Sequence, residues 1–425
     1  MLDGQEMRIT FSGGAGEVGG SAIIVETDYA KVALDYGIKV EEGLRYDLPR
    51  DLDAVIVTHA HLDHSGNLLT LSDAGIAIIG SEATRDVVSE LLDDLLKIHH
   101  MRGDALHYDH SHVRRISEAW ISRERVGLPG MEVRLYPAGH VLGARMAHLR
   151  AEGKEVLYTG DFCLHGTEIL EGVDVEALPK EPDVLIMEST YGGTLRPSRD
   201  ELVKKLFESI TEAEERGGNV LIPSFAFHRM QEMARRIDLA MKDEILPRYN
   251  AYYLSGLGHR ITGYFHKYQR HLCKMVQDEE MPFDYQYVKH LNRAGQVREP
   301  ALVICTAGFG HAGVSRELLF DWVSDEDNAI LISSGYLPED SPLTAAKEKT
   351  TIEEEGRKVP VRATVKQIEL SGHGDQSELV EFVEQIRPRK TFLVHGNPDQ
   401  AGALAQRISS LTEVVVPSKG ESFEP

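Results

Sequence analysis

The chain has 425 residues, 42% of them hydrophobic and 27% charged, with a formal net charge of −22. Such a length exceeds one ordinary core and predicts two domains, and no apolar run reaches the roughly 18–20 residues that a membrane span needs. The acidity argues against a broad basic face, so any contact with a polyanion must rest on metal ions or a few local arginines. The N-terminal segment MLDGQEMRITFSGG lacks the basic-then-apolar pattern of a secretion signal, and a cytoplasmic protein is expected. Cys163, Cys273 and Cys305 lie far apart and in no CxxC spacing, which predicts small buried residues rather than disulfides or ligands.

In chain order, Met7–Ser12, Ser21–Glu26 and Ala30–Asp35 read as strands punctuated by the glycines of 13–20. The run DAVIV (Asp53–Val57) then feeds a polar loop. Helical periodicity follows over Glu82–Ile98, with Ser81 as N-cap. Strand–loop units recur at Glu132–Tyr136, Glu155–Tyr158 and Val184–Met187. The middle of the chain alternates helices (Arg199–Arg216, Arg229–Met241) with strands (Asn219–Pro223, Ala301–Cys305, Ala329–Ser333), which predicts a separate parallel-sheet domain. A strand over Val359–Glu369, a helix over Ser377–Ile386 and a strand over Lys390–Val394 close the chain, and Pro338–Gly356 reads as a mobile connection.

The strongest signal is Thr58-His59-Ala60-His61-Leu62-Asp63-His64. Imidazole and carboxylate suit zinc and similar borderline metals. In an extended segment His59 and His61 project the same way, leaving Asp63 and His64 to turn toward a second ion. A solvated polar loop is the alternative. Against it, His140, Asp161 and His395 each follow a predicted strand, so that several strand ends bring ligand-type residues to one sheet edge. His99, His100, His107, His110 and His112 read as a solvated cluster, and Trp120 and Trp322 as packing residues.

In this order the motifs resemble the metallo-β-lactamase superfamily. The resemblance implies that His59, His61 and His140 hold one metal and Asp63, His64 and His395 another, with Asp161 bridging them. It also implies that Asp35, ending the strand KVALD, orients the ligands. Glu188 in Glu188-Ser189-Thr190-Tyr191-Gly192, His373 in Ser371-Gly372-His373-Gly374-Asp375 and His395 in Leu393-Val394-His395-Gly396 resemble the three further motifs of the β-CASP nucleases. That branch includes RNase J and the factor that cleaves mRNA 3′ ends. The segment Pro223–Phe227 with Arg229, Gln231 and Glu232 resembles it too, although the family more often has Gly where His228 stands. The compact archaeal form without KH domains is the nearest match.

The implied fold is α/β, a metallo-β-lactamase αββα sandwich with an inserted β-CASP α/β domain. Its expected divisions are 1–193 and 346–425 for the core and 194–345 for the insert. The implied activity is a metal-dependent ribonuclease, cutting internally or from the 5′ end, with single-stranded RNA passing between the domains. Two Zn²⁺, or Mn²⁺ in their place, would generate a hydroxide and clamp the phosphate. Asp63 and Asp161 serve the metals. His373 is the expected general acid or phosphate contact, held in its tautomer by Glu188, against the alternatives of a capping histidine and a structural acid. Ser371-Gly372 and Thr306-Ala307-Gly308 are candidate phosphate loops, the latter reading equally as a plain turn, and Arg229, Arg235 and Arg260 are candidate backbone contacts. Expected partners are RNA, other RNA-processing proteins and a second copy of the chain. Three other readings compete: a small-molecule thioester or lactam hydrolase of the same fold, which would not need Glu188, His373 or the insert; a non-catalytic processing scaffold, which would not need a full ligand set; and a flavin-linked di-iron oxygen reductase, which usually has Glu in place of His61 and needs a flavin domain.

Overall fold

The computed structural model describes residues 7–39, 42–104, 106–354 and 356–425. The first six residues of the segment read for a leader lie outside them. Two compact units emerge: Met1–Leu195 with Arg270–Lys274 and Gly372–Pro425, and Arg196–Gln269 with Met275–Ser371.

The first unit contains two seven-stranded sheets. One runs in the order Ser422–Phe423, Arg8–Gly13, Ala22–Glu26, Lys31–Leu34, Ala54–Ile56, Ala77–Ile79, Trp120–Ile121. The other runs Glu413–Val415, Lys390–Val394, Val184–Glu188, Lys154–Tyr158, Arg145–Ala151, Met131–Pro137, Arg125–Leu128. Alternation along the strands sends Ile9, Phe11, Ile23, Val25, Val32 and Leu34 of the first sheet into one core with Val133, Leu149, Val156, Ile186 and Phe392 of the second. Helix Glu82–Arg102 starts where expected, because the Ser81 hydroxyl accepts the Thr84 N–H at 3.0 Å. Helix Pro398–Ile408 packs on strand Lys390–Val394. This is the expected αββα plan.

The second unit is built on a six-stranded parallel sheet in the order Val288–Leu291, Asn250–Leu254, Ala301–Cys305, Val220–Pro223, Ala329–Ile332, Thr364–Gln367. Its central strand ALVIC is buried along its whole length, as a parallel strand covered on both faces requires. Helix Arg199–Glu215 opens on a capping box in which Ser198 and Glu201 satisfy each other's N–H groups.

Three expectations need correction. The segment Val359–Glu369 is two strands: Arg357–Pro360 forms a hairpin with Thr351–Glu354, whereas Thr364–Gln367 joins the parallel sheet beside Ala329–Ile332. For that reason the second unit continues to Ser371 and does not give way to the core near Ala346. The connection Pro338–Gly356 is ordered as helix Pro342–Glu348, started by Ser341 as N-cap and Pro342 in its first turn and pinned by buried Leu343 and Ala346. His228 adopts φ +69°, the region that glycine enters freely, which accounts for the glycine more common there in the resembling family.

The topology also positions the ligand-type residues. Lys154–Tyr158, Val184–Glu188 and Lys390–Val394 are parallel neighbours, with Tyr158 opposite Ile186 and Glu188 opposite Val394. Their chain continuations therefore leave the sheet at one edge. Between Tyr158 and Asp161 the turn depends on Gly160, at φ +52°, where a Cβ would lie 2.7 Å from the Thr58 side chain. Gly160→Ala combines a left-handed backbone with a steric clash, and a loss of about 2–4 kcal/mol in denaturant-derived stability is expected. An unchanged midpoint would show that the Thr58 contact is not rigid.

Candidate metal centre

Strand Ala54–Ile56 runs directly into the first ligand loop. His59 and His61 leave the extended segment, and the short helix Leu62–Ser65 then turns Asp63 and His64 in another direction. Two groups of convergent ligand atoms include this loop, His59, His61, His140 and Asp161, and Asp63, His64 and His395; a third, Asp161, Glu188 and His373, adjoins them. Asp161 faces the first two. Its Oδ2 lies 3.6 Å from His59 Nε2, 3.7 Å from His140 Nε2 and 3.3 Å from His64 Nε2. In the second group Asp63 Oδ2 is 3.2 Å from His395 Nε2 and 3.8 Å from His64 Nε2.

Ring nitrogens crowd one another in the first group, with His61 Nδ1 3.0 Å from His59 Nε2 and 3.3 Å from His140 Nε2. Burial and the neighbouring imidazoles hold His59 and His140 well below the ordinary histidine range, and burial brings His61 down to about 4. These rings are therefore neutral, and His59 and His140, with their protons on Nδ1, turn Nε2 lone pairs toward His61 Nδ1. Burial alone would raise the carboxyls of Asp63 and Asp161, but His64 and His395 outweigh it and hold both well below the usual range. Nε2 of His64 and Oδ1 of Asp161 are buried without a hydrogen-bond partner. Converging lone pairs, ionised carboxylates and orphaned buried polar atoms fit divalent cations.

Four of the imidazoles are tied to neighbouring oxygens. His64 Nδ1–H donates to Asp35 Oδ2 at 2.7 Å, and His140 Nδ1–H to the Gly372 carbonyl at 2.8 Å. Thr58 Oγ1 gives its proton to Asp35, so at 3.1 Å it is an acceptor for His59 Nδ1–H. Thr190 Oγ1 likewise donates to the His395 carbonyl and lies 3.1 Å from His395 Nδ1. These bonds orient the rings; His64 and His395, whose protonated forms burial disfavours but the surrounding carboxylates favour more strongly, reach Asp161 through Nε2 and Nδ1, each at 3.3 Å. Asp35, wholly buried, also accepts from the Thr58 amide at 2.7 Å and the Tyr158 hydroxyl at 2.9 Å. Burial and Asp35 push the Tyr158 phenol well above its ordinary range, so it remains a donor. Asp35 and His395 both have positive φ, +58° and +48°, as strained positions at functional sites often do.

Glu188 and His373 form a separate pair beside the ligands. Glu188 is wholly buried at the end of its strand, accepting the Phe162 N–H at 2.9 Å and His373 Nδ1–H at 2.8 Å. His373 keeps 17% of its side chain exposed, and its Nε2 lies 3.9 Å from Asp161 Oδ2. The imidazole thus has one nitrogen anchored and the other turned toward the ligand groups.

The phosphate loops fare less well. The Ser371 N–H donates to the Glu369 carbonyl at 2.9 Å, and the Gly372 carbonyl is taken by His140, so this turn positions a ligand instead of offering the Ser371 amide. Thr306, Ala307 and Gly308 follow strand Ala301–Cys305 in the second unit. There the Ala307 N–H reaches the Ala312 carbonyl, and the Ser315 hydroxyl reaches the Ala307 carbonyl at 2.7 Å. Arg235 is buried against Glu279 and the Pro282 carbonyl, which corrects its expected place among the backbone contacts. Arg229 and Arg199 both pair with buried Glu232. His110 pairs with Asp93, and His112 closes the capping box of helix His110–Glu118. Sequence reasoning missed Thr58, Tyr158 and Thr190. Thr58, adjacent to His59, and Thr190, inside the motif around Glu188, stood in motifs the sequence singles out, but their partners did not show there.

Three family models match the chain. The metallo-β-lactamase superfamily model matches residues 15–224, the β-CASP domain model 230–342, and that of the Zn-dependent metallo-hydrolase RNA specificity domain 358–417. Transcription termination factor FttA of Methanothermobacter thermautotrophicus is 31% identical over 96% of this chain and 69% of its own length. Cleavage and polyadenylation specificity factor subunit 3 of Dictyostelium discoideum is 30% identical over 96% and 55%. Probable RNase MJ4 of Methanocaldococcus jannaschii is 29% identical over 98% and 100%. The chain spans about half the length of relatives such as the Dictyostelium subunit. A solved structure of a protein of unknown function from Enterococcus faecalis V583 has the same fold, with a TM-score of 0.60 at 15% identity over 99% of this chain and 100% of that one. Ligand geometry, fold and these matches together make the chain a member of the metallo-β-lactamase superfamily, in its β-CASP branch.

Proposed function

We propose that this protein is a ribonuclease that hydrolyses phosphodiester bonds in single-stranded RNA and depends on two divalent ions, zinc or manganese. The observation that carries the reading is the Glu188–His373 pair, a partly exposed imidazole anchored beside the ligand groups but additional to them. A simpler hydrolase of this fold has no need of it. The match to an RNA specificity domain and the names of relatives, among them Endoribonuclease YSH1 of Candida albicans, point to RNA as the substrate.

His59, His61 and His140 would hold one ion and Asp63, His64 and His395 the other, with Asp161 between them. Bound there, the ions supply charge neutralisation for the phosphate and lower the pKa of water. His373 serves as the proton donor to the leaving oxygen, or as a contact to a phosphate oxygen, through Nε2. Glu188 accepts from Nδ1–H and fixes the tautomer with which that donor meets the substrate. Asp35, Thr58 and Thr190 keep the ligand rings from rotating out of register. The proposal includes a cytoplasmic location and partners drawn from RNA processing or a second copy of the chain. Among the described residues no helix is long and apolar enough to cross a membrane.

An RNA labelled at either end, with a 5′-monophosphate or a 5′-hydroxyl, reads both activity and mode. Internal fragments or stepwise 5′ trimming are expected. His373→Ala should lower kcat by about 10²–10⁴ with metal content preserved, whereas Asp161→Ala should lose metal and activity together. No cleavage by metal-loaded wild type would overturn the reading. Chelation provides a second test. Exhaustive removal of divalent ions should abolish cleavage, and Zn²⁺ or Mn²⁺ should restore it. Cleavage that survives chelation would contradict a metal-dependent mechanism.

A further inference from the structure

The second unit contains a cluster of rings that the proposed chemistry does not use. Tyr253 on strand Asn250–Leu254 and His290 on the edge strand Val288–Leu291 stand opposite each other in register. Their rings are 5.0 Å apart. His259, in the first turn of helix Gly256–Lys267, lies flat on His290, with centroids 4.0 Å apart and planes 4° from parallel. Tyr253 and Tyr285 meet edge-on at 5.8 Å. The stack forms part of the wall of an open cleft of about 500 Å³, with Asp284 and Lys289 also lining it.

The hydrogen bonding sets the character of the stack. Burial pushes the Tyr253 phenol up to about 12, so it stays protonated, and it lies 2.7 Å from His259 Nδ1. Donation from the phenol to Nδ1 turns Nε2 of His259 away from Tyr253. Burial and the adjacent His259 hold His290 below the ordinary histidine range. The outer ring, His259, is exposed. A planar ring that is already stacked on one side and exposed is a platform for another flat heteroaromatic ring. Asp284, with Oδ1 3.3 Å from His266 Nε2, supplies acceptor oxygens at the cleft, while Lys289 Nζ donates to the Gln286 carbonyl at 2.5 Å. A cleft of this volume suits one small flat ligand group.

We propose that this cleft seats one unpaired base of an RNA strand, stacked on His259. The exposed face of His259 and the sequence-tolerant stacking of unpaired bases on such rings make a base the occupant. The choice of polymer rests on the ribonuclease reading above. The site itself lies wholly within the second unit and shares no residue with the metal centre.

The test separates binding from chemistry. Affinity for a short labelled oligouridylate is measured by fluorescence anisotropy in an Asp161→Ala background, which prevents cleavage. Hydrolysis of bis(p-nitrophenyl) phosphate, a diester without a base, is measured with the same second-unit variants in the otherwise wild-type chain. His259→Ala and His290→Ala should each weaken oligouridylate binding about tenfold, His259→Phe should restore most of it, and hydrolysis of the small diester should not change. Unaltered RNA affinity in both alanine variants would overturn the base site. So would His259→Phe binding as weakly as His259→Ala. Small-diester hydrolysis without RNA binding by any form would remove the base site and leave a metallo-hydrolase. A wild type that neither binds RNA nor hydrolyses the diester would remove the ribonuclease reading as well.

Discussion

One buried carboxylate holds the ligand architecture together. Asp35 collects four donors: the Thr58 amide and hydroxyl, His64 Nδ1–H and the Tyr158 hydroxyl. The donors come from the first ligand loop, the helical turn after it and a strand of the second sheet. A buried carboxylate without such partners would be strongly unfavourable, so burial and hydrogen bonding determine each other here. The same group thus orients two imidazoles, His59 through Thr58 and His64 directly, and it ties both sheets of the first unit to the site. Asp35 performs this role from a left-handed backbone conformation at the end of strand Lys31–Leu34. The strain is local, and the hydrogen-bond network around it compensates.

Much of this was legible in the sequence, because the signals were local. The HAHLDH run and the placement of His140, Asp161, Glu188 and His395 at or just after strands require only pattern recognition along the chain. Where partners come from distant parts of the chain, the pattern fell silent. Nothing in the sequence around Tyr158 or Thr190 announces that their hydroxyls meet Asp35 and His395, because those bonds span 123 and 205 positions. The same limit explains the misplaced return to the core: Thr364–Gln367 pairs with Ala329–Ile332 across a hairpin that sequence periodicity had merged with it. Helix Pro342–Glu348 is a different kind of miss, since Ser341-Pro342 is a start signal that a short helix in polar surroundings obscures.

The acidity of the chain becomes intelligible at the residue level. Arg235 is committed to Glu279, and Arg199 and Arg229 to Glu232, so these guanidiniums stabilise the second unit. On the proposed reading, positive charge at the site comes from the bound ions, and a net charge of −22 is compatible with an anionic substrate. Base stacking at His259 would add affinity that does not depend on net charge.

On the proposed reading, Asp35 sets the geometry on which metal binding depends. Asparagine would keep its size, but it has a single acceptor oxygen and turns an N–H group toward donors. The direct measurement is the number of metal ions per chain and their resistance to a competing chelator, in wild type and in Asp35→Asn with the fold checked by circular dichroism. Two ions in wild type, and a loss of about 10–100-fold in affinity in the folded variant, is the predicted result. A folded Asp35→Asn protein that holds two ions as tightly as wild type would contradict it.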